Sequence, residues 1–76
     1  MKIEILGTGC SKCVALFENV KQAVAKEGIF AEIEKVEDPI KIMEYSVMST
    51  PALVVDGVVK SSGKLLTVDD ITKFIQ

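Results

Sequence analysis

Apolar residues in the first half of the chain alternate between two spacings, and this alternation constrains the fold more than any other feature. In residues 2–6, Ile3 and Ile5 show the period of two that is typical of a half-buried strand, and residues 29–36 show the same period. Between these segments, apolar residues recur every three or four positions, as on one face of a helix. These residues are Cys13, Leu16, Phe17, Val20, Ala23 and Val24. A strand, a helix and a strand in this order predict a parallel pair joined by a right-handed crossover.

The second half of the chain predicts a short helix and then a hairpin. Asp38 and Pro39 supply an N-cap and a first-turn proline, which open a helix. The pair Asp56-Gly57 is a strong signal for a two-residue turn between strands at 52–55 and 58–61. The hairpin adds an antiparallel pair to the parallel one.

A last amphipathic segment predicts a helix that closes the chain. Thr67 is its expected N-cap, and we expect Ile71, Phe74 and Ile75 on its inner side. The complete order is β-α-β-α-β-β-α. We therefore expect a single α/β domain over residues 1–76, with a four-stranded mixed sheet and helices on both of its faces.

Charge and residue types exclude several classes of function. The nine basic residues are all lysines, eleven residues are acidic, and the formal net charge is −2. Without arginine or a basic patch, nucleic acid is not an expected partner. The absence of histidine removes the usual general base and every mixed Cys/His zinc site. The apolar runs are too short to span a membrane and the first residues do not resemble a signal peptide, so we expect a cytoplasmic protein without membrane association.

The two cysteines, Cys10 and Cys13, stand where the first strand is expected to give way to the first helix. Structural disulfides are rare in the cytoplasm, so a close pair there is expected to be catalytic or metal-binding. Cys10 falls near the helix N-cap, where free N–H groups and the helix dipole stabilise a thiolate, and Lys12 adds a positive charge that we expect to tune it. Cys13 falls on the apolar stripe and is expected to be shielded. This asymmetry suits thiol–disulfide exchange, in which an exposed thiol attacks and a shielded thiol resolves the mixed disulfide.

Other interpretations of the pair remain open from the residues alone. Two thiolates can hold copper(I), and small copper-carrying domains of the heavy-metal-associated family also place C-x-x-C after their first strand. Those domains end on a strand and usually carry methionine two residues before the first cysteine, where this chain has Thr8. A zinc site would need two more ligands from a second subunit. A purely structural pair is the remaining alternative, because a buried free cysteine behaves as a small hydrophobe.

A proline just before the predicted hairpin, Pro51, is the second informative residue, because proline cannot donate to a strand ladder and belongs at a strand start. With C-x-x-C at the first strand–helix turn and a closing helix, the chain resembles the thioredoxin fold in its minimal, glutaredoxin-sized form. More narrowly, it is similar to the small thioredoxin-like proteins of archaea and bacteria called redox-active disulfide proteins. The resemblance rests on Gly9-Cys10-Ser11-Lys12-Cys13, on residues 45–57 and on Ser61-Ser62-Gly63.

The resemblance implies roles for the site residues. Cys10 would be the nucleophile, Cys13 the resolving thiol, and Pro51 a cis proline packed beside them. The backbone of Thr50 would pair with an extended substrate segment, with Gly63 at the rim of the same groove. The resemblance also implies protein disulfides as substrates, a disulfide reductase as the electron donor, and no bound cofactor or metal. We expect a monomer.

The chain departs from the better-known thioredoxins beside the cysteines. Gly9 stands where they carry tryptophan, and Ser11-Lys12 stands where they carry Gly-Pro. The buried acid that helps thioredoxins to deprotonate the resolving thiol has no clear counterpart, since Glu4 is the nearest acid on the first strand and its facing is not set by the sequence. The use of glutathione and the identity of the reductase are therefore open.

Overall fold

The computed structural model describes residues 1–47 and 49–75. Within these ranges the elements follow the predicted order. They are β1 (Lys2–Leu6), α1 (Ser11–Glu27), β2 (Glu32–Val36), α2 (Pro39–Glu44), β3 (Ala52–Val55), β4 (Val58–Ser62) and α3 (Val68–Ile75). In the described ranges, no helix is long and apolar enough to cross a lipid bilayer.

The strands form one mixed sheet in the order β2-β1-β3-β4. β1 and β2 are parallel, and the other two pairs are antiparallel. The hairpin turn has positive φ angles at Asp56 (49°) and Gly57 (83°), as a two-residue turn with the twist of its strands requires. β2 begins three residues later than the predicted strand at 29–36, because its ladder with β1 starts at the pair of Lys2 and Glu32.

Helices cover both faces of the sheet, as predicted, and each face has its own apolar cluster. On the face covered by α1 and α3, called the α1/α3 face below, the buried residues are Ile3, Ile5, Leu16, Val20, Ala23, Leu53, Val55, Leu66, Ile71 and Ile75. On the opposite face, called the α2 face, they are Leu6, Val36, Ile42, Ala52 and Val54. Strand β1 contributes to both clusters, because Ile3 and Ile5 point to the α1/α3 face and Leu6 points to the α2 face.

The prediction for the inner side of α3 is wrong at one residue. Phe74 is 36% exposed, whereas Thr72 is buried and its hydroxyl donates to the carbonyl of Asp69. Successive helical residues are about 100° apart, so Ile71, Thr72 and Ile75 share one arc and Phe74 lies outside it. The predicted N-cap is present, because Thr67 and Asp70 each accept a hydrogen bond from the other's backbone N–H.

The sheet topology brings four separate segments to one edge. Because β1 and β2 are parallel, the loops that follow them leave the sheet on the same side. β3 is antiparallel to β1 and begins at that side, where Ala52 pairs with Leu6, and β4 ends there, where Ser62 pairs with Ala52. The residues after β1, after β2, before β3 and after β4 therefore lie together. We call this the active-site edge.

Candidate active site

Cys10 is the N-cap residue of α1 and lies exposed at the active-site edge. Its backbone is extended (φ −67°, ψ 162°), and its Sγ accepts a hydrogen bond from the backbone N–H of Cys13 at 3.2 Å. The sulfur thus takes the place of the side-chain oxygen that usually caps a helix. A sulfur in this position faces the positive end of the helix dipole, where negative charge is stabilised.

Cys13 lies one turn into α1, and its side chain is only 5% exposed. The two cysteines form a disulfide, with their Cα atoms 5.0 Å apart. The two residues of the pair therefore differ in access from solvent, since Cys10 is exposed and Cys13 is buried.

The loop before β3 flanks the cysteine turn. The bond between Thr50 and Pro51 is cis, Pro51 is fully buried and Thr50 is exposed. The backbone N–H of Gly63 donates to the carbonyl of Pro51 at 2.9 Å, which extends the pairing of β3 with β4 by one step. A Cβ on Gly63 would stand 2.8 Å from the Cβ of Ser49, so the loop and the end of β4 approach too closely for a side chain at this position.

Lys12 occupies the first turn of α1 between the two cysteines, and its side chain is exposed. It follows Cys10 by two residues along the chain.

Two charged residues of the β2 segment share a small cleft with Cys13, and sequence reasoning missed them. The cleft is lined by Ile5, Gly9, Cys13, Val14, Lys35 and Glu37. The Nζ of Lys35 lies 4.4 Å from the centre of the Phe17 ring, and a Cβ on Gly9 would stand 3.6 Å from an Oε of Glu37. The available signal was the parallel pairing, since Glu37 directly follows β2 just as the cysteine turn follows β1.

Glu4, the acid nearest to the cysteines on β1, does not face them. Its carboxylate accepts a hydrogen bond from the hydroxyl of Tyr45 at 2.8 Å, on the α2 face. This hydrogen bond raises the pKa of Tyr45, since loss of the phenolic proton would end it and leave two negative charges in contact. On the same face, the hydrogen bond and the charge of Glu34 raise the pKa of Lys2. On the α2 face, Glu4 is therefore paired with Tyr45, and Lys2 is paired with Glu34.

Within the described residues, the cysteine pair is not part of a larger group of metal-ligating side chains. Among the side chains at residues 1–47 and 49–75, no group of three or more cysteines, aspartates and glutamates is placed to hold a metal ion. Cys10 and Cys13 alone offer two sulfur ligands, which would suit copper(I) but leave a zinc site half empty.

This constellation of an exposed capping cysteine, a buried partner and a cis-proline loop lies in a chain that matches a known family throughout. The family model described as a thioredoxin domain matches residues 1–76. The chain belongs to the thioredoxin domain family. It is 40% identical over 75 residues to a thioredoxin of Methanothermobacter thermautotrophicus, an alignment that covers 99% of this chain and 97% of that protein. It is 48% identical over 69 residues to a thioredoxin of Methanocaldococcus jannaschii, covering 91% of this chain and 79% of that protein.

Membership of the thioredoxin family confirms three predictions from the sequence. The family itself was predicted from the residues around the cysteines and Pro51. The minimal thioredoxin fold is present, with the mixed four-stranded sheet and its helices. With Cys10 and Cys13 at C-x-x-C spacing, the chain is a thiol–disulfide oxidoreductase that acts on protein disulfides.

Proposed function

We propose that Cys10 is the attacking thiol and Cys13 the resolving thiol of this oxidoreductase. The Cys10 thiolate attacks one sulfur of a substrate disulfide, which forms a mixed disulfide and releases the other substrate sulfur as a thiolate. The Cys13 thiolate then attacks the Cys10 Sγ, which closes the internal disulfide and releases the second substrate thiolate. The substrate gains two electrons from the protein, and the two protons that the Cys10 and Cys13 thiols give up before the attacks are balanced by protonation of the two released substrate thiolates. The observation that carries this assignment is the difference in exposure between two sulfurs one turn apart.

The charge environment supports Cys10 as the group that carries the thiolate. The backbone N–H of Cys13 already points at its sulfur, and the amino end of the 17-residue helix α1 adds the helix dipole. Lys12 contributes a positive side chain on the same turn. We propose that this charge stabilises the Cys10 thiolate, and that a neutral residue at position 12 would stabilise it less.

The groove for the substrate lies between the cysteine turn and the loop of Thr50 and Pro51. An extended substrate segment would pair with the backbone of Thr50, an exposed residue, as in strand addition to a sheet edge. Gly63 would form the rim, because its N–H holds the carbonyl of Pro51 and its missing side chain lets Ser49 pack closely against the end of β4.

The electron donor in this proposal is a separate disulfide reductase, because both electrons reside in the cysteine pair and nothing else in the reaction stores them. We propose that the protein works as a monomer and in the cytoplasm, where a reductase can recharge it. No bound cofactor takes part in either exchange step.

The roles of the two cysteines are separable by two matched variants. With native, disulfide-bonded insulin as the substrate and dithiothreitol as the electron donor, Cys10→Ser should abolish the disulfide reduction that the protein catalyses above the dithiothreitol background. In a separate incubation with insulin and prereduced protein but without dithiothreitol, which would cleave the adduct, Cys13→Ser should accumulate a mixed disulfide on Cys10 that mass spectrometry detects. Full turnover by Cys10→Ser, or an adduct on Cys13 in Cys10→Ser with none on Cys10 in Cys13→Ser, would reverse the assignment.

The copper(I) alternative is tested on the same protein without a substrate. The metal-free wild type is equilibrated in graded dithiol/disulfide buffers, quenched by alkylation and weighed. A reversible midpoint between about −180 and −280 mV is expected for an exchange protein. If no internal disulfide forms across the series and the reduced protein retains one equivalent of copper(I) through dialysis, metal binding replaces the proposed reaction.

A further inference from the structure

Gly7, the first residue after β1, lies against the buried cysteine. A Cβ built on Gly7 would overlap the Sγ of Cys13 and stand 3.2 Å from the Cβ of Cys13. It would also lie 3.9 Å from the Cβ of Thr50. The resolving sulfur therefore occupies the space that any side chain at position 7 would need, at the point where β1, α1 and the Thr50 loop meet.

The backbone of Gly7 cannot retreat to make room for a side chain. Its N–H donates to the carbonyl of Val36 at 3.0 Å, which continues the ladder between β1 and β2. The preceding residue, Leu6, is fully buried and pairs with β2 on one side and β3 on the other. A side chain at position 7 would therefore displace the sulfur and not the strand.

The backbone conformation of Gly7 gives no other reason for glycine. Gly9, Gly28, Gly57 and Gly63 all have positive φ angles, between 64° and 83°, which other residues adopt at a cost. Gly7 does not belong to this group. What an alanine would meet at position 7 is the Cys13 side chain and not backbone strain.

We propose that Gly7 is a positioning residue. Its missing side chain leaves the space that the Cys13 sulfur occupies, called the seat below, and so favours formation of the Cys10–Cys13 disulfide. The inference rests on the proposed exchange reaction. In the disulfide, Cys13 Sγ is bonded to Cys10 and must stay in the seat. In the dithiol, the Cys13 side chain is free to rotate to another staggered conformation. A methyl group at position 7 therefore destabilises the disulfide form more than the dithiol form.

The test is the redox equilibrium of Gly7→Ala against the wild type. Both proteins are equilibrated in the same dithiol/disulfide buffers, and the fraction of internal disulfide is measured by alkylation and mass spectrometry. We expect the equilibrium constant for disulfide formation to fall at least about tenfold, which is a midpoint about 30 mV less negative. The thermal midpoint should fall more in the oxidised protein than in the reduced protein, and the mixed disulfide on Cys10 should persist longer during turnover.

A double-mutant cycle with Cys13→Ala separates the contact from a general effect of alanine in β1. Removal of the Cys13 sulfur empties the seat, so Gly7→Ala should cost much less stability in the Cys13→Ala protein than in the oxidised wild type. If Gly7→Ala fails to fold while Gly7→Ala/Cys13→Ala folds, the contact is equally supported. Equal potentials for Gly7→Ala and the wild type would overturn the inference, and so would equal stability losses in both backgrounds. Failure of the wild type to form a disulfide would instead contradict the proposed function.

Discussion

The two faces of the sheet differ in how much apolar structure covers them. The α1/α3 face is covered by helices of 17 and 8 residues over a cluster of ten buried residues. The α2 face is covered by one helix of six residues over five buried residues. It also has a surface cavity of about 360 Å³, lined by Lys2, Glu4, Glu34, Val36, Lys41, Glu44 and Tyr45.

This difference assigns different tasks to the two faces. Cys13 is the first buried residue of α1, and the helix continues into the larger cluster through Leu16 and Val20. The cysteine turn is therefore anchored on the face with most of the apolar burial, which stabilises the fold and holds the sulfur in place. The α2 face closes the second side of the sheet with a small cluster and with polar contacts such as Tyr45 to Glu4. We expect changes on the α2 face to alter stability without altering disulfide exchange.

The largest effect is expected from Leu16→Ala on the α1/α3 face. Leu16 is fully buried one turn after Cys13, and truncation of a buried leucine costs about 2–5 kcal/mol of unfolding free energy. Because α1 would also lose its main anchor behind Cys13, the rate of disulfide reduction per folded molecule should fall severalfold. Urea unfolding and the insulin assay measure both quantities. A stability loss without any change in rate would show that the turn does not depend on this anchor.

A smaller effect is expected from Ile42→Ala on the α2 face. Ile42 is 7% exposed in a cluster of five, so we expect a loss of about 2 kcal/mol, at the low end for such truncations. The rate per folded molecule should stay within about twofold of the wild type. Ile40→Ala is the matched control on the same helix, since Ile40 is 69% exposed and its truncation should change stability by less than about 0.5 kcal/mol. A large loss of exchange in Ile42→Ala would contradict the division between the faces.

The N-cap residues of α3 and α2 allow the stability contributions of the two faces to be compared with smaller changes. Thr67→Ala removes the oxygen that accepts from the N–H of Asp70 and should cost about 1 kcal/mol. Asp38→Ala removes the acceptor for the N–H of Ile40 on the shorter helix α2. Its cost should be lower, about 0.5 kcal/mol, because fraying of α2 exposes fewer buried residues. Chemical denaturation of both variants gives the ranking, and a greater cost for Asp38→Ala would reverse the comparison.

A small effect, comparable to that of the helix caps, is expected from Tyr45→Phe, which removes the hydrogen bond to Glu4 on the α2 face. The loss should be about 0.5–1 kcal/mol at neutral pH, since the pair is only partly buried. The folded protein holds the phenolic proton more tightly than the unfolded chain does. The contribution is therefore fully present below the ordinary pKa of 10.0 and is lost as the pH rises through the raised pKa of the folded state. Denaturation of both proteins between pH 7 and pH 11 should show the difference shrinking, and a constant difference would contradict this origin.

Much of the fold was predictable because its signals are local. The helix stripe that includes Cys13 and Leu16, the cap at Asp38 and the turn at Asp56-Gly57 each depend on residues within about four positions of one another. Such short-range patterns report which face of an element is apolar. At the end of α3 the same reasoning was wrong for Phe74, because a helix with few apolar residues leaves the width of its buried arc undefined.

The sequence by itself determined the order of elements, the C-x-x-C at the start of α1, and with them the family and its redox chemistry. Only the tertiary structure decided which residues surround Cys13. Glu37 and Lys35 reach its cleft through the parallel pairing of β2 with β1, and Glu4 is directed away from it by the pleat of β1. The closeness of Gly7 to the cysteine pair arises only because α1 packs the sulfur of Cys13 against the Gly7 backbone. Contacts of this kind depend on strand register and helix packing, which no local spacing in the chain encodes.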